Sequence, residues 1–403
     1  MSGPTPIEWT DATWPIVAGC APASPGCDHC YAARNTSGRL RNLPAYAGLA
    51  TGGTFTGEIR LLPERLGWPL RQRKPRRIFV CSQSDLFHPG VPTEFIARTF
   101  AVMASCPQHT FQILTKRSAR LRSLLTDECR CGVGHPPGTH FRSAMEWAAT
   151  PHSPTHVPGL KSGLARRTGW PLPNVHIGVS VESQTYADRR IPRLLATPAA
   201  VRWISAEPLL GEIDLSDWIE PECGACQGAG EINGGDGCPA RCDGGRTRDP
   251  RLDWVVAGGE SGPGARPMHP DWARSLRDQC TTAAVPFCFK QWGDWTDTEH
   301  GQAADGAADL LVRRVTAYKK QDVDGTTMLR LGKRRAGRVL DGRTWDEYPH
   351  PPAPERACRV CGCTQNNACD PPCSWAGADL CSACSAPERD ENPAHPGSLA
   401  GAR

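Results

Sequence analysis

No stretch of about 18 apolar residues occurs anywhere in the chain of 403, so a membrane-spanning helix is not expected. The opening residues, MSGPTPIEWTDATW, lack a basic start followed by an apolar run, so no secretory leader is expected either. An excess of one charge is also missing. The 46 basic and 42 acidic residues leave a net +4, which permits a polyanionic partner without demanding one. There is no P-loop or dinucleotide fingerprint, and the glycine-rich GGESGPGAR (258–266) fits neither. That segment reads either as a source of backbone N–H groups for an anion or as a tight turn. Cysteine, in contrast, is abundant: there are twenty. In a long chain with no leader, clumped cysteines point to metal rather than disulfides, and to the cytoplasm.

The clumps differ in spacing. The first is Cys20-x6-Cys27-x2-Cys30, followed at once by Tyr31. The second is Cys129 and Cys131, with His135 and His140 behind them. The third is Cys223, Cys226, Cys238 and Cys242, and the fourth runs from Cys358 to Cys384. Cys81, Cys106, Cys280 and Cys288 stand apart and read as small hydrophobes.

Between the clumps, short β-rich runs alternate with helical segments: RRIFVCSQSDLF, HTFQILTKRSARLRSLL, NVHIGVSVES, VRWISAEPLLG, LDWVVAGGESG and VPFCFKQWG. Strand, polar end, helix, strand is the signature of parallel βα units. The fold class expected is α/β, a partial TIM-like (β/α)6 barrel. Functional groups in such folds lie at the C-terminal strand ends. Those ends carry Ser82, Ser84, Asp85, Lys116, Ser180, Glu182, Glu207 and Glu260.

Three thiolates with no close fourth leave one metal position open. A 4Fe–4S cluster uses such an opening for a ligand. A zinc ion with His29 as fourth ligand is the alternative, and spacing alone does not decide between them. Three cysteines ending in Cys-x2-Cys-aromatic, ahead of a partial βα barrel, resemble the radical S-adenosylmethionine superfamily, although the six-residue first gap departs from its usual three. The strings IEWTDATWPIVAGCAPASPGCDHCYA, FQILTKRSARL, GVSVESQTYADRRIP and WVVAGGESGPGARPM resemble the phage gp-thirty-seven/gp-sixty-eight family over roughly residues 5–345. The resemblance implies that Cys20, Cys27 and Cys30 hold the cluster. S-adenosylmethionine would be bound by Tyr31, Ser82, Ser84, Asp85, Lys116, Ser180 and Glu182, and Glu207 and Glu260 would meet substrate. It also implies a 5′-deoxyadenosyl radical, an electron donor of flavodoxin or ferredoxin type, and a bacterial host with a phage or prophage source.

Two insertions interrupt the barrel domain (1–345). Residues 126–170 are rich in Pro, Gly and His, and the role of Cys129, Cys131, His135 and His140 stays open between a metal site and a loop. Residues 221–250 pair Cys223-x2-Cys226 with Cys238-x3-Cys242, and so short an insert needs a staple such as zinc. Residues 346–357 read as a linker. Residues 358–384 form a small cysteine-rich module, with Cys358, Cys361, Cys381 and Cys384 as zinc ligands and Cys363, Cys369 and Cys373 unassigned. The end from 339 onward is net acidic, which argues for a protein partner there, and 385–403 lacks apolar periodicity and is expected to be disordered.

Residues 313–338 hold nine basic against two acidic side chains, and Arg71, Arg73, Lys74, Arg76 and Arg77 form a second basic run. Such blocks meet phosphate backbones. The expected function is therefore a radical S-adenosylmethionine enzyme that modifies or repairs a nucleic acid base. The alternative is a non-catalytic, zinc-rich adaptor for nucleic acid or protein. It accounts for the later clumps equally well, but not for six polar strand ends.

Overall fold

The computed structural model describes residues 2–126, 134–164, 168–219, 231–232, 236–237, 250–297, 319–349, 374–377 and 380–385. Two compact units divide between Pro349 and His350.

The first unit is built on one eight-stranded sheet: β1 (Gly3–Pro4), β2 (Ala12–Trp14), β3 (Arg77–Val80), β4 (Thr110–Thr115), β5 (Val175–Ser180), β6 (Val201–Ala206), β7 (Trp254–Gly258) and β8 (Phe287–Gln291). Their order across the sheet is their order in the chain. From β2 to β8 every pairing is parallel; only β1 runs antiparallel, on the edge. Six of these strands were legible as βα units. β2 was not, because ATW is too short to carry a period.

Helices bridge the parallel strands, among them α1 (Tyr31–Ser37), α2 (Thr93–Ala104), α3 (Ser118–Leu125), α4 (Thr139–Ala149), α5 (Gln184–Leu195) and α6 (Pro270–Thr282). The outer sheet face, with Ile78, Phe111, Ile177, Ile204, Val255 and Phe287, packs against them in the main core. α4 lies inside the segment read as a loop insertion. Its Phe141 ring meets Phe100 of α2 at 5.2 Å, so this stretch is in part a covering helix. No helix among the described residues is long and apolar enough to cross a membrane.

The inner face shows why the sheet is a partial barrel. Trp9 touches Phe79 of β3 at 4.7 Å and Trp254 of β7 at 6.1 Å between ring centroids. Those strands are four spacings apart in the sheet, about 19 Å if it were flat. One indole reaches both because the sheet curls around it. Strand alternation sorts the inner positions by height. Trp203, Trp254, Phe79 and Cys288 pack around Trp9 at the bottom. Further along the strands, on the same face, stand Ser180, Glu182, Glu207 and Glu260, the last two four residues beyond Trp203 and six beyond Trp254. The cluster also draws in Tyr348, whose hydroxyl donates to the Glu8 carbonyl at 3.0 Å. Glu347 accepts from the Phe287 amide and, through its carbonyl, from the Trp254 indole. Residues 346–349, read from sequence as linker, therefore belong to the barrel.

In the second unit, Trp375–Gly377 pairs antiparallel with Leu380–Cys381, ahead of the turn of helix Ser382–Ser385. Cys381 is buried and Cys384 half-buried. Cys358, Cys361, Cys363, Cys369 and Cys373, the expected zinc ligands Cys223, Cys226, Cys238 and Cys242, and Cys129 and Cys131 all lie outside the described residues, as does 386–403.

Gly178 is what admits the interior tryptophan. A Cβ on it would stand 2.4 Å from the Trp203 ring, which is itself wedged against Trp9 and Trp254. Gly178→Ala should cost about 1–3 kcal/mol by overpacking. A urea melt of the variant should show a lower midpoint with an unchanged slope; an unchanged midpoint would mean that the interior is loose.

Candidate functional site

The three cysteines sit where β2 gives way to α1. Cys20 follows the short strand Val17–Ala18, Cys27 ends the 3-10 turn Pro25–Cys27, and Cys30 caps α1. All three are free thiols, and all three line one cavity at the C-terminal ends of β3, β4 and β5. Ser82, Ser84, Asp85, Lys116 and Ser180 line the same cavity, as does Tyr31. Tyr31 as a residue is 47% exposed, and its hydroxyl donates to the Ser82 carbonyl at 2.6 Å.

Burial pushes the Cys20 thiol up to about 12, against the pull of Arg117, whose Nη1 lies 3.8 Å from the sulfur. Burial also pushes Cys30 up, opposed by the amides of Ala33 and Ala32. Left to themselves these thiols stay protonated, and only a strong cation such as a metal would make thiolate the favoured form. Among the described residues no three His, Cys, Asp or Glu side chains already converge as metal ligands. The donor chemistry suits a thiophilic metal group, and the loop carries all three donors to one cavity. His29, the alternative fourth ligand, is not in the lining; its ring lies over Gly264, where a Cβ would stand 2.8 Å from it.

Two buried carboxylates hold that loop in place. Glu182, 1% exposed, pairs with Lys116 through one oxygen and with Arg190 of α5 at 3.0 Å through the other. Ser24, between the cysteines, donates to Glu182 Oε1 at 2.8 Å, and Gly26 lies so close that a Cβ would stand 2.5 Å from the Glu182 side chain. On the other side Glu260 receives Arg266 through Nε at 2.9 Å and Nη2 at 2.8 Å. Arg266 also donates to the Pro25 carbonyl at 2.9 Å and pairs with Asp28 at 3.2 Å. Arg34 returns the contact from α1, donating to the carbonyls of Pro263 and Ser261 at 2.6 and 2.7 Å. The GGESGPGAR turn is thus a buttress for the cysteine loop.

Several expected ligand residues are placed differently. Glu182 lies outside the cavity lining, because a carboxylate this deep needs cations and has taken Lys116 and Arg190. Asp85 lines the cavity with its carboxylate already engaged by Thr115 at 2.7 Å, the Phe87 amide at 2.9 Å and Arg117 at 2.8 Å. The Ser84 hydroxyl donates to the Val17 carbonyl at 2.7 Å. Glu260 is occupied by Arg266, and Glu207 by Lys290 at 3.1 Å and Ser205 at 3.1 Å; neither lines the cysteine cavity. Sequence reasoning missed Arg34, Arg190 and Arg266, and Phe55 and Cys81 on the cavity wall. Arg77 of the second basic run starts β3, at the end of the barrel away from the cysteines, and is paired with Asp11 at 2.9 Å.

Residues 4–349 match the family described as Protein of unknown function (DUF5131). The chain belongs to that family. No curated protein matches the sequence. Among solved structures, the chain is similar to a cysteine-to-alanine mutant of spore photoproduct lyase at 9% identity, covering 80% of this chain and 68% of that chain, with a TM-score of 0.32. It is similar also to a double mutant of that lyase with bound AdoMet and dinucleoside spore photoproduct, at 9% identity, the same coverages and a TM-score of 0.31. At those scores the likeness carries no argument.

Burial works to raise the Glu182 pKa, but Lys116 and Arg190 outweigh it and hold the carboxyl below its ordinary value. A depressed folded pKa contributes stability that is present above the unfolded value and lost as pH falls through the folded one. Glu182→Gln, which strands two partly buried cations, should therefore cost about 3–5 kcal/mol at neutral pH. The gap from wild type should close in urea melts taken progressively below pH 4.5, the ordinary value of the group. A gap independent of pH would show that the loss is one of packing.

Proposed function

We propose that this chain is an iron–sulfur radical S-adenosylmethionine enzyme acting on a nucleic acid base. The observation that carries the reading is the shared cavity: Cys20, Cys27 and Cys30 line it together with the polar strand ends Ser82, Lys116 and Ser180. A 4Fe–4S cluster bound there would supply one-electron cleavage of S-adenosylmethionine.

The chain's own residues supply position and shielding. Cys20, Cys27 and Cys30 would hold the cluster. Arg117, seated by Asp85 beside Cys20, lowers the cost of thiolate charge at that sulfur. Tyr31 offers an open ring surface on which a purine stacks. Ser82 and Ser180 offer hydroxyls to a ligand's polar end. Lys116, held at the cavity by Glu182, presents a cation to a ligand carboxylate. Glu182 and Glu260 act through the loop they fix and are positioning residues. Zinc in the cysteine clumps outside the described residues remains part of the reading, with a structural role.

Anaerobic protein, reconstituted with iron and sulfide and given dithionite and S-adenosylmethionine, should release 5′-deoxyadenosine. The Cys20→Ala, Cys27→Ala and Cys30→Ala variants should each lose that product and the absorbance near 400 nm. A wild-type protein that takes up zinc but no iron would overturn the proposal and leave the adaptor reading in its place.

A further inference from the structure

The sheet does not close. β8 is its last strand, with residues 345–347 bonded along its outer edge, and β1 is the strand at the opposite edge. Here lies a second hollow, lined by Glu8, Lys290, Gln291, Lys333, Arg334 and Arg338. Its volume of about 290 Å3 is at the lower end of ligand pockets. It is distinct from the cysteine cavity, with which it shares no lining residue.

Polar bookkeeping marks it out. Among the described residues, three buried side-chain atoms on this one hollow have no hydrogen-bond partner: Glu8 Oε2, Gln291 Oε1 and Arg338 Nε. Gln291 is 7% exposed, and its amide nitrogen makes only a 3.5 Å contact to the Gly259 carbonyl. Buried acceptors left unpaired are costly, and a cluster of them asks for an explanation such as a missing ligand. These acceptors want N–H or O–H donors. The surrounding charge asks for the opposite sign, with four cations against the one carboxylate of Glu8. Lys290 is taken by Glu207 and Arg338 by Asp346. Lys333, half-exposed, stands 3.8 Å from Glu8, and Arg334 is exposed and makes no ion pair among the described residues. The ligand must therefore be an anion that also carries hydrogen-bond donors. A nucleotide unit joins a phosphate to base N–H and sugar hydroxyl groups, and so meets both demands.

We propose that this seam hollow binds a nucleic-acid phosphodiester, with Lys333 and Arg334 on the phosphate and Gln291 and Glu8 accepting from the adjoining nucleotide. The choice of a polymer over a free phosphate ester rests on the function proposed above.

The test is fluorescence anisotropy of the full chain with a labelled single-stranded oligonucleotide, titrated at several salt concentrations. The double variant Lys333→Gln, Arg334→Gln should bind at least tenfold more weakly, and its plot of log affinity against log salt should be shallower by about 1.4, two phosphate contacts at about 0.7 each. Lys319→Gln with Lys320→Gln removes two exposed cations outside the hollow and should change affinity less than about twofold. Equal losses in both double variants would reduce the effect to general charge and overturn the site. Displacement of the oligonucleotide by AMP at equal concentration would put a free nucleotide there and overturn the polymer; resistance to AMP and to inorganic phosphate supports it. Gln291→Leu, checked for folding by circular dichroism, should weaken binding with no change in salt slope, and wild-type affinity in that variant would overturn the role given to the acceptors. Anisotropy needs neither cluster nor S-adenosylmethionine. Binding without 5′-deoxyadenosine would keep the site and sink the chemistry, and 5′-deoxyadenosine without binding would do the reverse.

Discussion

The Glu182 carboxylate, taken out of water at the end of β5, is the constraint on which the site depends. A lone buried carboxylate is untenable, and this one is answered by Lys116 from the end of β4 and Arg190 from α5. Its remaining lone pairs go to Ser24. One group therefore joins two strand ends, a helix and the cysteine loop. Gly26 is the geometric counterpart, since any side chain there would collide with Glu182. Across the loop Glu260 plays the matching part through Arg266. The loop that carries three thiols has little secondary structure of its own. Its shape comes from these two ion-paired anchors, one on each side.

The interior is graded along the strands. At the bottom Trp9, Trp203 and Trp254 fill the barrel, and at the top the same alternation yields carboxylates and hydroxyls. Apolar packing below excludes water, which strengthens every charge pair above it. The site is thus stiff where the ion pairs lie. The three thiols, set between the ion pairs, are partly desolvated but not enclosed.

This grading is why the strand ends were legible in the sequence. A period of two places Ser180 and Glu182, or Ser205 and Glu207, on the face of Trp203, and the polar switch at each end is local. The roles of those residues were less legible. Glu182 and Glu260 looked like ligand groups because their partners are remote in sequence: Lys116 is 66 residues away, and Arg266 gains its purpose from Pro25, 241 residues away. Arg34 and Arg190, on helices, were missed for the same reason. The strand of Trp14 escaped notice because three residues carry no period. α4 was lost in a segment whose composition pointed to a metal site or a loop and not to a helix.

A single register shift links the interior to the seam. Pairing runs Val256↔Cys288 and Ala257↔Phe289, and then jumps to Gly258↔Gln291. Lys290 is the extra residue, as in a β-bulge. Without it the alternation would put Lys290 opposite Gly258 and turn Gln291 to the outer face. With it, both side chains are available on the inner side: Lys290 reaches Glu207, and Gln291 takes the place across from Gly258. The glycine is needed for this, since a Cβ at 258 would stand 2.7 Å from Glu207 Oε1. The bulge therefore delivers a cation to Glu207 and leaves a buried amide oxygen without a partner among the described residues at the wall of the seam hollow. A regular strand of the same sequence could do only one of these.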